Sequence, residues 1–403
     1  MSTVAVVGAG PAGATLAYLL AQQGIDVYLL ERRSDFAREF RGEVLMPSGV
    51  DALEQMGLLD LLDATPSYTQ HSAQIYMSQR SVFRLELDAE EQDTPKFMAV
   101  SQPGLLEAIV ERASQFPSFH FVRGAAVKEL VRNDACINGV RYRNAAGEQQ
   151  LDADLVIGTD GRNSIVRRQL SLPVQEISPP MDIVWCELPC PEDWRGVRGY
   201  VGGGHLLVAY RKWDQKLQLG WVILKGTFGE LRQRGIEQWI EEMAKQVTPD
   251  FAEHLRQHRA AAQKPFLLAA VSDCVERWSA PGALVLGDAA HTMSPVGGQG
   301  LNVALRDSIV AANYLVPVLK QTAPHEAEID RALRDIQTER MPEISQIQQL
   351  QAQPPKLVLS RAWWGESLRT VVAMLLSRAA LRRRAGQRVA PFFFGITKVE
   401  LQI

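Results

Sequence analysis

The sequence predicts an α/β protein: a Rossmann-like domain assembled from separated segments, an inserted mixed β-sheet domain, and helices towards the C-terminal end. Three observations carry that expectation. The chain opens on an apolar run with a glycine-rich turn, Val4-Ala5-Val6-Val7-Gly8-Ala9-Gly10-Pro11-Ala12-Gly13, and continues into a helix-like stretch over residues 14–22. Two further apolar runs end in glycine and aspartate, at Leu155-Val156-Ile157-Gly158-Thr159-Asp160-Gly161 and Ala283-Leu284-Val285-Leu286-Gly287-Asp288. Between these runs, strand-like segments are separated mostly by turn residues, which suits an inserted sheet.

The opening unit specifies a dinucleotide site. Gly8 suits a tight turn, Gly10 lets the backbone approach a pyrophosphate, and Gly13 lets the helix pack closely on the strand. Pro11 and Ala12 begin that helix, whose N-terminus presents N–H donors and partial positive charge to phosphates. A second apolar run, residues 27–30, ends in Glu31, 18 residues beyond Gly13. An acid there is placed to bond an unphosphorylated adenosine ribose, so the expected nucleotide is FAD or NAD rather than NADP.

The run at residues 283–286 separates those two. It delivers Gly287 and Asp288 to the carboxyl end of a strand, where open α/β sheets bind ligands. Asp288 can bond polyol hydroxyls, which FAD has and NAD lacks. The loop with Pro295 and Gly298 then leads to a helix expected to begin at Gly300, Leu301 and Asn302. Its N–H groups would face the pyrimidine edge of an isoalloxazine, where negative charge grows on reduction. FAD is therefore the expected resident cofactor. His291, close behind Asp288, is expected to be a hydrogen-bonded structural histidine rather than a general base.

The middle of the chain supplies the second domain. Residues 119–151 read as a strand meander with turns at Asn138-Gly139 and Asn144-Ala145-Ala146-Gly147. Residues 71–95 and 181–263 form the inserted substrate domain, with strands at 183–188, 206–210 and 217–224 and an amphipathic helix around 236–247. The nucleotide-binding domain is then 1–70, 96–180 and 264–345, and 346–403 is a C-terminal helical segment. Leu217, Leu219, Trp221 and Ile223 share one strand face, yet Val222 and Leu224 make the other apolar too. Both faces are expected to be covered, one by helices and one by the flavin and a pocket. Cys186, Tyr200, His205 and Tyr210 are candidate pocket residues, with ordinary packing as the competing role of each. Gly202-Gly203-Gly204 joins two strand-like runs with no helix after it, so it is not a second dinucleotide site.

Composition narrows the class. The 403 residues allow two or three domains with a large core. A net charge of −3 offers no global attraction to nucleic acid. An apolar strand beginning by Thr3 leaves no room for a signal peptide, and no apolar run reaches the ~18 residues of a membrane span, so the expected compartment is the cytoplasm. Cys136, Cys186, Cys190 and Cys274 are too scattered for a disulfide framework or a metal site and are expected to be free thiols. Trp364, Leu368, Val371 and Leu375 recur at helical spacing near seven arginines and one acid, Glu366. That stripe is expected to pack on the main body rather than lie on a membrane surface.

Five motifs in one order resemble those of the class A flavoprotein monooxygenases, the p-hydroxybenzoate hydroxylase-like group, over nearly the whole chain. They are the glycine fingerprint with Glu31-Arg32, Arg41-Gly42-Glu43-Val44-Leu45, Ser101-Gln102-Pro103-Gly104-Leu105, Asp160-Gly161-Arg162-Asn163-Ser164-Ile165-Val166-Arg167, and Gly287-Asp288-Ala289-Ala290-His291. The resemblance implies a glutathione-reductase-type FAD-binding domain in which Arg32, Gln102 and Val127 serve FAD, Val127 at the adenine. It further implies that Asp160 serves both FAD and a pyridine nucleotide, and that Arg41 lies near the flavin pyrophosphate and the NAD(P)H path. The activity implied is an NAD(P)H-consuming monooxygenase, monomeric or homodimeric, that uses O₂ and a C4a-hydroperoxyflavin to hydroxylate a small aromatic or polycyclic molecule. Substrate control of flavin reduction belongs to the same expectation. No catalytic side chain is singled out, because the hard chemistry is the cofactor's. A flavin-dependent reductase or halogenase and a non-enzymatic carrier share the scaffold. The halogenase W-x-W-x-I-P signature is absent around all eight tryptophans, and intact Gly10, Glu31 and Asp288 speak against a carrier.

Overall fold

The structure is a computed structural model describing residues 2–37, 43–77, 79–87, 96–134, 136–177, 179–262, 265–322, 325–358 and 390–403. Its first layer is a six-stranded sheet in the order Ser279–Ala280, Ala283–Val285, Leu155–Gly158, Thr3–Val7, Asp26–Glu31, Phe119–Arg123. Every neighbouring pair is parallel except the edge pair of Ser279–Ala280 with Ala283–Val285. The central strands are buried throughout, as apolar runs without alternation require of a doubly covered parallel sheet. The three glycine-bearing runs therefore lie side by side, with their carboxyl ends at one edge. Helix Pro11–Gln22 packs against helices Gln102–Ala113 and Gln299–Leu319, and the last also packs against Glu326–Val358.

A three-stranded sheet follows, of Ala126–Asn133, Cys136–Asn144 and Gly147–Asp152. The turn at Asn144 forms as expected, its side-chain oxygen accepting the Ala146 N–H at 2.9 Å. The turn expected at Asn138-Gly139 does not form. Both residues lie within strand Cys136–Asn144, where the register shifts between Ile137 and Gly139. A Cβ on Gly139 would collide with the Leu151 carbonyl, so this glycine serves close strand approach at a bulge rather than a reversal.

The second sheet has seven strands in the order Phe266–Ala269, Met181–Pro189, Lys216–Leu224, His205–Arg211, Gly196–Gly202, Ser72–Met77, Arg80–Glu86. It is mixed, since Gly196–Gly202 and Ser72–Met77 run parallel. It also extends past the boundary expected at residue 263, because Phe266–Ala269 pairs with Met181–Pro189. Gly203 and Gly204, both with positive φ, close the hairpin between two of its strands. Leu217, Leu219, Trp221 and Ile223 pack under helices Ile236–Ala244 and Pro249–Gln257 through Trp239, Ile240 and Phe251.

Helix Glu326–Val358 runs without a break across the division expected at residues 345 and 346. Where it meets helix Gln299–Leu319, five charged or ionisable side chains are buried together. Asp307 takes His291 Nε2 and Arg340 Nε on its two oxygens, each at 2.8 Å. Glu343 receives Arg340, Arg306 and the Ile396 N–H. Residues 390–403 thereby return to the first domain, and Val399 is buried in its core. The helical stripe expected around Trp364, Leu368, Val371 and Leu375 lies outside the described residues. Among the described residues no helix is long and apolar enough to cross a membrane.

Candidate active site

A cavity of about 860 Å³ lies between the carboxyl ends of the first sheet and the face of the second sheet not covered by helices. The first glycine run forms one end of it. Gly8 has a φ of +102°, and its N–H donates to the Leu30 carbonyl at 2.7 Å, which sets the tight turn. Gly8, Gly10, Pro11 and Ala12 line the cavity, with Glu31 and Arg32 beside them. A Cβ on Gly10 would meet only the Thr159 carbonyl, 3.9 Å away, so its bareness leaves open space rather than relieving a protein contact. Gly13 is different. It does not line the cavity, and a Cβ there would strike the Gly8 carbonyl, so it serves helix–strand packing. The Glu31 carboxylate accepts the Ala9 N–H at 2.9 Å and the Arg33 N–H at 3.1 Å, bracing the glycine loop from which it was expected to reach a ribose.

The second run is tied to the first by Thr159, whose hydroxyl donates to Gly8 O at 2.7 Å. Asp160 follows. One carboxylate oxygen caps helix Ile165–Gln169 through the Ile165 N–H at 2.6 Å, while Oδ1 is buried in the cavity wall with no hydrogen-bond partner. Burial raises its pKa above the ordinary aspartate range, only partly offset by those bonds. From the third run, Asp288 lines the cavity and faces Arg162 Nε at 3.5 Å. Gly297 and Gly298 are both left-handed and feed a helix that starts at Gln299, one residue before the expected range. Pro295, Gly298, Gly300 and Leu301 line the cavity, and so do Gln102 and Val127.

Besides Gly13, two expected cofactor residues stand behind the wall instead of in it. Gly287 makes a left-handed turn, with Ala12 at 3.1 Å from where its Cβ would be. Asn302 is fully buried and clamps backbone: it accepts the Met46 N–H at 2.8 Å and donates to Val44 O and Gly298 O. Arg41 lies outside the described residues. The bare Gly10, the unpartnered Asp160 Oδ1 and the two helix N-termini at Pro11 and Gln299 suit a flavin dinucleotide laid along this edge.

The second sheet supplies the opposite wall, and period-2 alternation decides which side chains reach it. Ile183, Trp185, Val208, Tyr210 and Val222 point in, and Gly199 and Gly220 are bare between them. Of the four candidate pocket residues, Tyr210 lines the cavity. Cys186, Tyr200 and His205 do not, because each sits one position out of phase. Cys186 and Tyr200 are buried under the helices, Tyr200 stacked on Tyr76, and His205 stacks on Trp221. Burial pushes the Cys186 thiol up to about 12, so it is no nucleophile at neutral pH.

Sequence reasoning passed over the most perturbed carboxyl in the cavity. Glu43 is held by its backbone carbonyl, which accepts the Val100 N–H at 2.7 Å, and only 8% of the residue is exposed. Its Oε2 has no hydrogen-bond partner and sits 3.8 Å from Lys212 Nζ. Burial, opposed by Lys212 and reinforced by Glu187 and Asp214, lifts its pKa to about 7. Lys212 is itself buried and donates to Glu187 at 2.7 Å; Glu187 also takes Lys216 at 2.8 Å. Glu43 stands inside the motif quoted above, but no local pattern announces a lysine from a hairpin some 170 residues on.

Comparison with known proteins places this geometry. Residues 1–347 match the family described as FAD binding domain. The 6-methylpretetramide 4-monooxygenase of Streptomyces rimosus is 30% identical over 388 residues, covering 96% of this chain and 91% of that protein. The para-nitrophenol 4-monooxygenase of Pseudomonas sp. (strain WBC-3) is 25% identical, with 79% of each chain covered. Among solved structures, p-nitrophenol 4-monooxygenase from Pseudomonas putida DLL-E4 superposes with a TM-score of 0.79 at 20% identity, over 99% of this chain and all of that one.

Proposed function

This chain belongs to the FAD-dependent aromatic monooxygenases, and we propose that it hydroxylates a planar, polycyclic, hydroxyl-bearing aromatic molecule at the expense of NAD(P)H. The observation that carries the proposal is the shape of the second-sheet wall. Trp185 lies against Gly220 so closely that a Cβ there would fall 2.7 Å from its ring. Two bare glycines among Ile183, Val208 and Val222 make a broad, flat, apolar bed, and flat apolar surfaces favour fused rings through area and stacking. A relative that acts on 6-methylpretetramide agrees with this choice over a single small ring.

When bound, FAD supplies the redox chemistry, taking electrons from NAD(P)H and activating O₂ for transfer of one oxygen atom. The chain's residues do the rest. Gly10, beyond the Gly8 turn, would admit the pyrophosphate to the helix N-terminus, Glu31 and Val127 would meet the adenosine end, and Asp288 with Arg162 would meet the polyol and phosphate region. Residues 295–301 would hold the ring system. Apolar side chains keep water out, which protects oxygen transfer from a wasteful release of hydrogen peroxide.

The test is a screen of hydroxylated anthraquinones and naphthacenes against single-ring phenols, following NAD(P)H oxidation and product mass. Fused-ring compounds are expected to accelerate oxidation at least tenfold and to gain one oxygen. Acceleration by single-ring phenols alone would overturn the choice of substrate class.

A further inference from the structure

The geometry points to Glu43 as a further catalytic residue, the group that takes the proton from a substrate hydroxyl, with Lys212 and Glu187 linking it to solvent. This rests on the aromatic-hydroxyl substrate proposed above. An aromatic ring is more easily attacked by an electrophilic oxygen when its hydroxyl is ionised, so a base in the substrate half of the cavity has a defined task.

The other carboxyls of the cavity wall and its tyrosine fail that task by position or chemistry. Glu31 braces the glycine loop through the Ala9 and Arg33 N–H groups. Asp160 caps a helix at the glycine end. Asp288 faces Arg162 beside the third glycine run. Tyr210 lines the sheet face with an unpartnered hydroxyl, but complete burial together with Glu43 and Glu187 raises its pKa well above the usual value. It stays protonated and is no base. Glu43 is left: it lines the cavity near Tyr210 of the second sheet, with Oε2 buried on the Lys212 side and without a hydrogen-bond partner.

The groups that face Glu43 fit proton transfer. They are Lys212, Tyr210, Glu187 and Asp214. A buried carboxyl with one cation at 3.8 Å and two further anions nearby is poised near neutrality. In the step itself the substrate O–H bond breaks, its electron pair stays on oxygen, and the proton forms a new O–H bond on the Glu43 carboxylate, whose Oε2 is turned to Lys212. Lys212 Nζ already donates to Glu187, which is about one-third exposed and also bonds Lys216 at the surface. Release of that proton balances when Lys212 gives one of its own protons to Glu187 and takes the Glu43 proton in its place, once the 3.8 Å gap to Glu43 closes to hydrogen-bonding distance.

The test uses the FAD-loaded enzyme and alizarin, a fused-ring phenol whose visible colour reports its ionisation. Wild type at pH 8 is expected to bind alizarin in the ionised form. In Glu43→Gln, which keeps shape but cannot accept a proton, bound alizarin is expected to stay neutral, its apparent pKa raised by at least one unit. Glu43→Asp should restore part of the shift, and turnover in Glu43→Gln should fall on the order of a hundredfold. Infrared titration without ligand supplies an independent readout: a carboxyl band with a near-neutral midpoint in wild type, lost in Glu43→Gln and moved to higher pH in Lys212→Met. Equal ionisation of alizarin in wild type and Glu43→Gln, or the absence of that band, overturns the role of Glu43 while leaving the substrate class intact. Failure of alizarin and its fused-ring analogues to bind at all overturns the substrate class and this role with it.

Discussion

Two sets of buried carboxylates in this protein are bonded to opposite extents. Beneath helix Gln299–Leu319, both oxygens of Asp307 and of Glu343 are taken by His291, Arg340, Arg306 or backbone. Around the cavity, Asp160 Oδ1 and Glu43 Oε2 are as buried, yet neither has a hydrogen-bond partner. The pKa shifts separate the groups as well: Asp307 and Glu343 fall, because cations and hydrogen bonds outweigh burial, whereas Asp160 and Glu43 rise because burial wins. A carboxylate that the protein itself completes holds structure together. A carboxyl in a cavity wall whose pKa is raised by burial is suited to proton transfer rather than to bracing.

The largest effect should come from disturbing the completed group. Arg340→Met removes a cation from two buried carboxylates at once and is expected to cost about 3–5 kcal/mol in chemical denaturation. Because Glu343 also takes the Ile396 N–H, the same variant should release residues 390–403 to proteolysis. A loss under about 1 kcal/mol would mean that the network is dispensable. On the cavity side, Asp288→Ala is expected to spare folding and weaken FAD binding by about 1.5–3 kcal/mol, roughly ten- to a hundredfold. Flavin fluorescence titration of the apoprotein measures it, and unchanged affinity would remove Asp288 from the site.

Glu43 should behave in reverse of Asp307. Its folded pKa, about 7, lies above that of an unfolded glutamate, so its stability contribution is complete at low pH and is lost as pH rises towards 7. Glu43→Gln is therefore expected to be more stable than wild type at pH 8, on the order of 2 kcal/mol. The difference should shrink as pH falls and vanish near pH 4.5, the ordinary value for a free glutamate. A difference that grew on acidification would reverse the assignment. The smallest effect belongs to the out-of-phase residues. Cys186→Ala should cost about 1 kcal/mol of stability and leave FAD content and substrate affinity unchanged.

The same division explains what could be read from the sequence. The glycine runs, Glu31 and Asp288 were legible because backbone turns and strand ends impose local patterns. The apolar residues on both strand faces at 217 to 224 foretold one face under helices and one on a pocket, but not which of Cys186, Tyr200, His205 and Tyr210 would face the cavity. That depends on strand phase, and a one-residue difference moves a side chain through the sheet. Asn138-Gly139 looked like a turn because close strand approach and chain reversal both favour glycine. Glu43 and Lys212 meet only after the two sheets have packed, so their pairing leaves no local trace.

The most direct measurement is a single turnover. The FAD-loaded enzyme is reduced with NADPH or NADH in the presence of a fused-ring phenol that passed the screen, then mixed with ¹⁸O₂. One ¹⁸O atom per flavin is expected in the organic product, with faster reduction when substrate is present. Recovery of all the label as hydrogen peroxide, with an unaltered phenol, would contradict oxygen transfer in this cavity and leave an NAD(P)H oxidase or reductase in its place.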